Sequence, residues 1–233
     1  MKKSRIDVSV IVPVHNEEGL IRQFIEEVDS ACSNLNLSYE IIVVENGSKD
    51  KTWQYLQEIS KVNRKIKVFQ LKTAGYGLAI ITGIKKSLGQ YGIIFNVDFW
   101  DKKFLMLTKV NILEQDIIIG SKCLPGSLDF RGFRRRAVTK VFNLFLNLFL
   151  GYRGTDSHGI KLLRLQTVLP ILKLCKTKTG IFDSELMIRS QRGGLKILEL
   201  PVTVKEIRPD RFGLNRLLKT PLDIYKLYIS LKE

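Results

Sequence analysis

This chain of 233 residues has few cysteines, few histidines and no long apolar run. Cys32, Cys123 and Cys175 lie far apart, with no Cys-x-x-Cys pair and no histidine at ligand spacing. That excludes a disulfide scaffold or a zinc site, and it fits small buried thiols in a reducing compartment. No segment reaches the roughly 20 apolar residues a membrane span requires. The opening Met1-Lys2-Lys3-Ser4-Arg5 is basic, but Asp7 breaks the apolar run behind it, so a signal peptide is not expected. There is no internal repeat, low-complexity tract or linker, so one domain over 1–233 is expected.

Acidic residues are scarce in one region only. Residues 1–100 carry 13 Lys and Arg against 11 Asp and Glu, whereas residues 101–233 carry 25 against 12. Nearly all of the net charge of +15 therefore belongs to the second part, which is expected to face something anionic. Nucleic acid, a phospholipid surface and a phosphorylated substrate all satisfy that charge. No nucleic-acid-binding motif accompanies it, so nucleic acid is not the expected partner.

Short apolar runs at Val8–Val12, Glu40–Val44, Ile66–Leu71 and Tyr91–Val97 read as strands buried on both faces. Each of the first three is followed by a polar loop and an amphipathic segment. That alternation predicts βαβ units and a mostly parallel sheet flanked by helices. The loops after the strands should gather on one edge, where ligands of such sheets bind. At the end of the fourth run stand Asp98 and Asp101, carboxylates placed to hold a divalent ion against a phosphate. A dinucleotide-dependent dehydrogenase fits poorly. Gly75-Tyr-Gly77 follows the third strand rather than the first, and Ile80 stands where the third glycine belongs.

Beyond residue 115 the pattern changes. Asp116–Lys122 reads as a strand leading to the basic run Arg131-Gly-Phe-Arg-Arg-Arg136. From Val141 to Leu150 only Asn143 and Asn147 are polar, a narrow stripe on a helix otherwise apolar around its circumference. Such a helix is either core or an element lying in a membrane interface beside the arginines. Phe182–Arg192 reads as a helix, Leu195–Val204 as extended chain, and Thr220-Pro221 as the start of a closing helix.

Val10-Ile-Val-Pro-Val-His-Asn-Glu-Glu18, Val43-Val-Glu-Asn-Gly-Ser-Lys-Asp-Lys-Thr52, Gly75-Tyr-Gly-Leu-Ala79 and Phe95-Asn-Val-Asp98 follow one another in a familiar order. With Gly120-Ser-Lys122, Asp156, Gly159 and Glu199-Leu-Pro-Val202, the chain resembles family 2 glycosyltransferases over about residues 6–211. It is most similar to the branch of dolichyl- or polyprenyl-phosphate mannosyl- and glucosyltransferases. The resemblance implies an α/β fold of the GT-A, Rossmann-like type, with 1–122 as the nucleotide-sugar half and 123–233 as the acceptor- and membrane-facing half. It implies that Pro13, His15, Glu17, Glu45 and Asn46 line the base and ribose, and that Gly75, Asn96 and Val97 join them. Asp98, matching the second acid of the family's DxD motif, would bind Mg2+ or Mn2+ against the donor diphosphate, with Asp101 as a further metal ligand. Lys122, Arg135 and Arg136 would position a polyprenyl-phosphate acceptor, while Arg208 and Arg211 would meet the donor phosphates.

Three departures reduce the negative charge of that site. Glu45-Asn46 replaces the usual paired aspartates, Asn96 replaces the first acid of DxD, and Trp100 stands where a glutamine is common. A degenerate, non-catalytic membrane-associated protein is the corresponding alternative. If the acceptor is instead a saccharide hydroxyl, a carboxylate base is needed, and Asp183, Glu185 and Asp156 are the candidates. The expected location is cytoplasmic, peripheral on the cytoplasmic face of a membrane. Anchoring would come from the interface itself or from a separate membrane-anchoring subunit.

Overall fold

A computed structural model describes residues 6–109, 114–205 and 214–232, the side chains of 214–221 excepted. Strands β1 (Val8–Val14), β2 (Tyr39–Glu45), β3 (Ile66–Gln70) and β4 (Tyr91–Ile94) run parallel. With β5 (Ile117–Ser121), β7 (Lys161–Arg164) and β8 (Ile197–Pro201) they form one seven-stranded sheet in the order β3-β2-β1-β4-β7-β5-β8. Only β7 is reversed, antiparallel to both β4 and β5. A second, two-stranded sheet pairs β6 (Leu128–Asp129) with β9 (Thr203–Val204). The helices are α1 (Ile21–Asn34), α2 (Thr52–Val62), α3 (Tyr76–Lys86), α4 (Lys102–Leu107), α5 (Phe133–Leu150), α6 (Leu165–Leu174), α7 (Phe182–Arg192) and α8 (Leu214–Lys232).

The strand sequences are apolar at consecutive positions because both faces of the sheet are covered. Val10, Val12, Ile41, Val43 and Ile93 pack on one side with Phe24, Ile25 and Val28 of α1. Ile11, Ile94 and Leu163 pack on the other with Ile80 and Ile84 of α3 and with Phe182 and Leu186 of α7. Gly83 lets α3 approach β1, since a Cβ there would lie 2.3 Å from Ile11 Cγ2. The three cysteines are unpaired, and burial raises the Cys32 and Cys175 thiols to about 12, leaving them inert.

Helix α5 settles how its narrow polar stripe is used. Asn143, Leu146 and Leu150 form the buried face. Val141, Leu144 and Leu148 point outward, with Leu148 71% exposed, and Phe133 and Phe149 are exposed as well. Gly151, at φ 70°, ends the helix in the left-handed conformation that favours glycine. On α8, Leu222, Tyr225, Tyr228 and Ile229 are also exposed. Arg192 joins the two helices, donating to Leu150 O at 3.2 Å and to Leu231 O at 3.3 Å. Among the described residues no helix is long and apolar enough to cross a membrane.

The elements differ from the sequence reading in several places. Strand β1, expected to be closed at Val12 by Pro13, runs on through Pro13 to Val14 beside β2, since its pairing with β4 ends at Ile11 and Pro13 has a strand on one side only. Strand β6 was not foreseen. Strand β4 stops at Ile94 because residues 96–99 fold back into a turn. Helix α8 starts at Leu214, six residues before Thr220. The pair β7–α6, absent from the sequence reading, carries a buried lysine in its strand and Pro170 inside its helix.

Candidate active site

The loops that follow β1, β2, β3 and β4 meet at the carboxyl edge of the sheet, as parallel strands require. They enclose a cavity of about 240 Å3 lined by Pro13, Val14, His15, Glu17, Asn46, Tyr76, Asn96, Val97 and Asp98. The β1 and β2 loops are stitched together. His15 Nδ1 donates to Asn46 O at 2.8 Å, Lys49 N–H donates to Asn16 Oδ1 at 2.8 Å, and Glu17 N–H donates to Thr52 Oγ1 at 2.8 Å. Asn16 holds this junction at φ 55°, a left-handed conformation asparagine tolerates. One wall of the pocket is therefore formed before any ligand arrives.

Two residues expected in the lining stand behind it instead. Glu45 is sealed from solvent at the end of β2 and accepts from Ser48 N–H, while its Oε2 has no hydrogen bond among the described residues. Gly75 donates its N–H to Asn46 Oδ1. Both act on the pocket by fixing the loops that carry Asn46 and Tyr76.

Asp98 lies in the tight turn closed by Asn96 and Phe99, whose backbones exchange hydrogen bonds at 3.2 and 3.0 Å. The turn carries Asp98 off the strand and into the cavity lining. Asp101, expected as a further metal ligand, lies at the start of α4. It is the N-cap of α4, accepting from Lys103 N–H at 2.8 Å, because the first N–H groups of a helix need an outside acceptor. Trp100 points away from the cavity, its indole N–H donating to Glu27 of α1 at 3.3 Å and its ring tilted against Phe95.

Tyr76 was not singled out from the sequence, where it sits between two glycines. It lines the cavity together with Asn96, Val97 and Asp98. Burial, and after it the negative charge of Asp183, hold this phenol well above the usual tyrosine range, so it stays protonated.

The acceptor-side candidates are largely engaged. Lys122 Nζ lies 2.5 Å from Asp156 Oδ2, and both side chains are buried. Burial would raise Asp156, but the Lys122 ammonium overrides it and holds the carboxyl at about 2. Asp183 pairs with Lys161 at 2.9 Å, both sealed. Glu185 accepts from the N–H groups of Lys176 and Thr177, from Thr177 Oγ1 and from Arg189. Burial pushes Glu185 up, yet these hydrogen bonds leave it below the ordinary glutamate value. Arg131 is taken by Asp129 through bonds of 2.8 and 2.7 Å. Arg134 and Arg136 are exposed at the start of α5, and Arg135 is half-buried beside them. Arg208 and Arg211 lie outside the described residues.

No three His, Cys, Asp or Glu side chains converge as a metal site among the described residues. Asp98 remains a suitable ligand, because Mg2+ and Mn2+ take oxygen donors and Mg2+ is commonly held by one or two carboxylates plus substrate phosphates. The donor set suits an ion that arrives with a diphosphate.

A mostly parallel α/β sheet with a polar cavity at its carboxyl edge defines a nucleotide-binding class of protein. The chain belongs to glycosyl transferase family 2, whose sequence profile matches residues 9–158. A dolichyl-phosphate beta-glucosyltransferase of Trichomonas vaginalis is 26% identical, spanning 97% of this chain and 74% of that protein. A dolichol-phosphate mannosyltransferase of Pyrococcus furiosus is 29% identical over 57% of this chain and 38% of its own length. Among solved structures, glucosyl-3-phosphoglycerate synthase from Mycobacterium tuberculosis, crystallised with Mn2+, uridine diphosphate and glucosyl-3-phosphoglycerate, superposes with a TM-score of 0.66. It is 18% identical, and the match covers 97% of this chain and 79% of that one. Mannosyl-3-phosphoglycerate synthase from Rubrobacter xylanophilus gives 0.69 at 15% identity, covering 95% and 72%. These likenesses establish the GT-A architecture.

Proposed function

We propose that the chain moves a hexose from a nucleotide sugar of the GDP-mannose or UDP-glucose type to a polyprenyl or dolichyl phosphate, with inversion at the anomeric carbon. The observation that carries the choice of acceptor is the state of the three candidate bases. Asp156, Asp183 and Glu185 are buried and paired, with Asp156 and Glu185 held below the ordinary carboxylate range. A carboxylate so stabilised is a poor proton acceptor at neutral pH, and general-base catalysis needs one tuned the other way. An acceptor that arrives as a phosphate needs no base. Its oxygen forms the bond to C1 as the bond from C1 to the departing nucleoside diphosphate breaks.

In this reading Pro13, His15, Glu17 and Asn46 receive the nucleoside, and Glu45 and Gly75 fix their loops. Asp98 would hold Mg2+ or Mn2+, which supplies positive charge to the leaving diphosphate. Lys122, Arg135 and Arg136 would draw the acceptor phosphate, and Arg208 and Arg211 the donor phosphates. The exposed apolar face of α5, flanked by Arg134, Arg136 and Lys140, supports contact with an anionic membrane surface, where such a lipid is found. The chain would then work as a peripheral protein on the cytoplasmic face, with or without a separate anchoring subunit.

The test is direct. Purified protein is incubated with Mn2+, UDP-glucose or GDP-mannose, and either polyprenyl phosphate, polyprenol or free saccharides, and products are read by mass spectrometry. Sugar should appear on polyprenyl phosphate alone, and Asp98→Asn should reduce its formation at least about a hundredfold. Transfer to a saccharide hydroxyl with none to the lipid phosphate would overturn the assignment.

A further inference from the structure

Glu185 is sealed in the first turn of α7, and its carboxylate faces two ways. On one side Oε2 accepts from Thr177 N–H at 2.7 Å and from Thr177 Oγ1 at 2.6 Å, while Lys176 N–H reaches Oε1 and Oε2 at 3.0 and 3.1 Å. On the other, Oε1 accepts from Arg189 Nε at 2.8 Å, and Arg189 Nη2 donates onward to Ser230 O of α8. Two successive backbone N–H groups bound to one buried carboxylate fix the course of the chain between α6 and α7. Glu185 therefore serves the segment 176–180.

That segment is packed against the residues that carry the cavity. Lys178 O accepts from Leu78 N–H at 3.1 Å, one of the N–H groups that the first turn of a helix leaves without an intrahelical partner. The approach depends on two glycines. A Cβ on Gly75 would stand 2.9 Å from Lys178 O, and one on Gly77 would stand 2.5 Å from Phe182 Cβ. Between them Tyr76 lines the cavity, and Gly75 N–H donates to Asn46 Oδ1 of the same lining. At its far end the segment offers Gly180 O to His158 Nε2 at 3.1 Å, and His158 N–H donates to Asp156, the partner of Lys122. Segment 176–180 thus meets both the cavity and the acceptor-side ion pair.

We propose that Glu185 is a positioning residue for donor binding. With Arg189 it holds segment 176–180 against the first turn of α3, and so keeps Tyr76 and Asn46 in place to receive the nucleoside diphosphate. The proposal rests on the reading of the cavity as the nucleotide-sugar site. It turns a candidate base into a residue that acts on the reaction through other groups. It also joins the pocket to α8, because one guanidinium spans Glu185 and a carbonyl near the end of that helix.

The experiment compares wild type with Glu185→Gln, Thr177→Val and Arg189→Lys. Binding of UDP and GDP with Mn2+ is read by calorimetry, and transfer to polyprenyl phosphate gives kcat and the donor KM, with urea midpoints as a check on folding. A glutamine cannot replace the carboxylate, because whichever way it turns its NH2 faces either Thr177 N–H or Arg189 Nε. Glu185→Gln should weaken nucleotide binding about tenfold and raise the donor KM in proportion, with kcat at saturating donor kept within about twofold. Thr177→Val removes only the hydroxyl bond, and Arg189→Lys removes the second arm that reaches Ser230 O. Each should move the donor KM the same way by about threefold.

A general base would behave otherwise. In Glu185→Gln, a fall in kcat of about a hundredfold or more with unchanged nucleotide binding, and an ionisation lost from the pH profile, would overturn the proposal. So would a lower urea midpoint with donor KM and kcat unmoved, the mark of a carboxylate that only stabilises the fold. Should Glu185→Gln fail to fold, the other two variants decide, and a donor KM unmoved in both counts against Glu185. Wild-type protein that binds neither UDP nor GDP removes the donor site itself. Binding that is equal in wild type and all three variants removes only the positioning role.

Discussion

Helices α1 and α5 are opposites. In α1 the residues Ile21, Phe24, Ile25, Val28, Ala31 and Cys32 are buried, and Arg22, Gln23, Glu26 and Glu27 face water. In α5 a buried asparagine faces the protein while Val141, Leu144, Leu148 and Phe149 face out. Asn143 is held there by its bond to Thr139 O at 2.9 Å and by the Ser157 N–H it accepts at 3.2 Å. Burying a large apolar side chain is worth about 1.5–3 kcal/mol. Leaving four or more exposed thus forgoes an amount comparable to the whole stability of a domain, roughly 5–15 kcal/mol. The first helix packs its apolar face on the sheet, whereas the second leaves an apolar face exposed, which the proposed membrane contact would cover.

Four measurements bear on that contrast. The largest effect should come from truncation at matched chemistry. Phe24→Ala in α1 should lower stability in urea by about 3–5 kcal/mol, whereas Leu148→Ala in α5 should stay within about 0.5 kcal/mol. A large loss at Leu148 would mean that α5 is core after all. Next, Leu144→Glu with Leu148→Glu should cut sedimentation with vesicles of phosphatidylserine and phosphatidylcholine by roughly a hundredfold while the melting temperature holds. Unchanged vesicle binding would remove the membrane from the comparison. Third, Asn143→Leu, which strips Ser157 N–H of its acceptor, should cost about 1–3 kcal/mol, even though it makes the buried face of α5 more apolar.

The smallest effect at neutral pH concerns the ionic pairing that supports the acceptor side. The folded Asp156 carboxyl, at about 2, lies below its unfolded value of roughly 3.9. Its contribution is therefore complete above about pH 4 and lost as the pH falls toward 2. The urea midpoint of wild type should drop more steeply across that window than that of Asp156→Asn. Parallel curves would show that the Lys122–Asp156 pair adds nothing.

The first half of the chain was legible because its information is local. Each strand is a short apolar run, each loop follows it at once, and His15, Asn46 and Asp98 stand in those loops. Asp98 and Asp101 could not be told apart from spacing, since capping depends on where α4 begins. The second half was less legible because its key pairings are distant. Lys122 meets Asp156 across 34 residues. Lys161 can be buried only because Asp183 arrives from α7 to pair with it. Strand β7 and helix α6, the one carrying that lysine and the other Pro170, have no counterpart in the sequence reading. On α5 the composition announced an unusual helix, but which side faced inward depended on the loop carrying Ser157.

The reversed strand β7 also constrains how the polypeptide can be cut or made. During synthesis β1 to β4 emerge early, yet the open flank of β4 has no hydrogen-bonding neighbour until residues 161–164 leave the ribosome. Strand β5 comes out first but does not adjoin β4, so it cannot shield that flank. A fragment ending near residue 122 would present a bare row of amide and carbonyl groups, an invitation to stick to other chains. Biosynthesis thus carries a window of vulnerability roughly 70 residues long, closed by four residues.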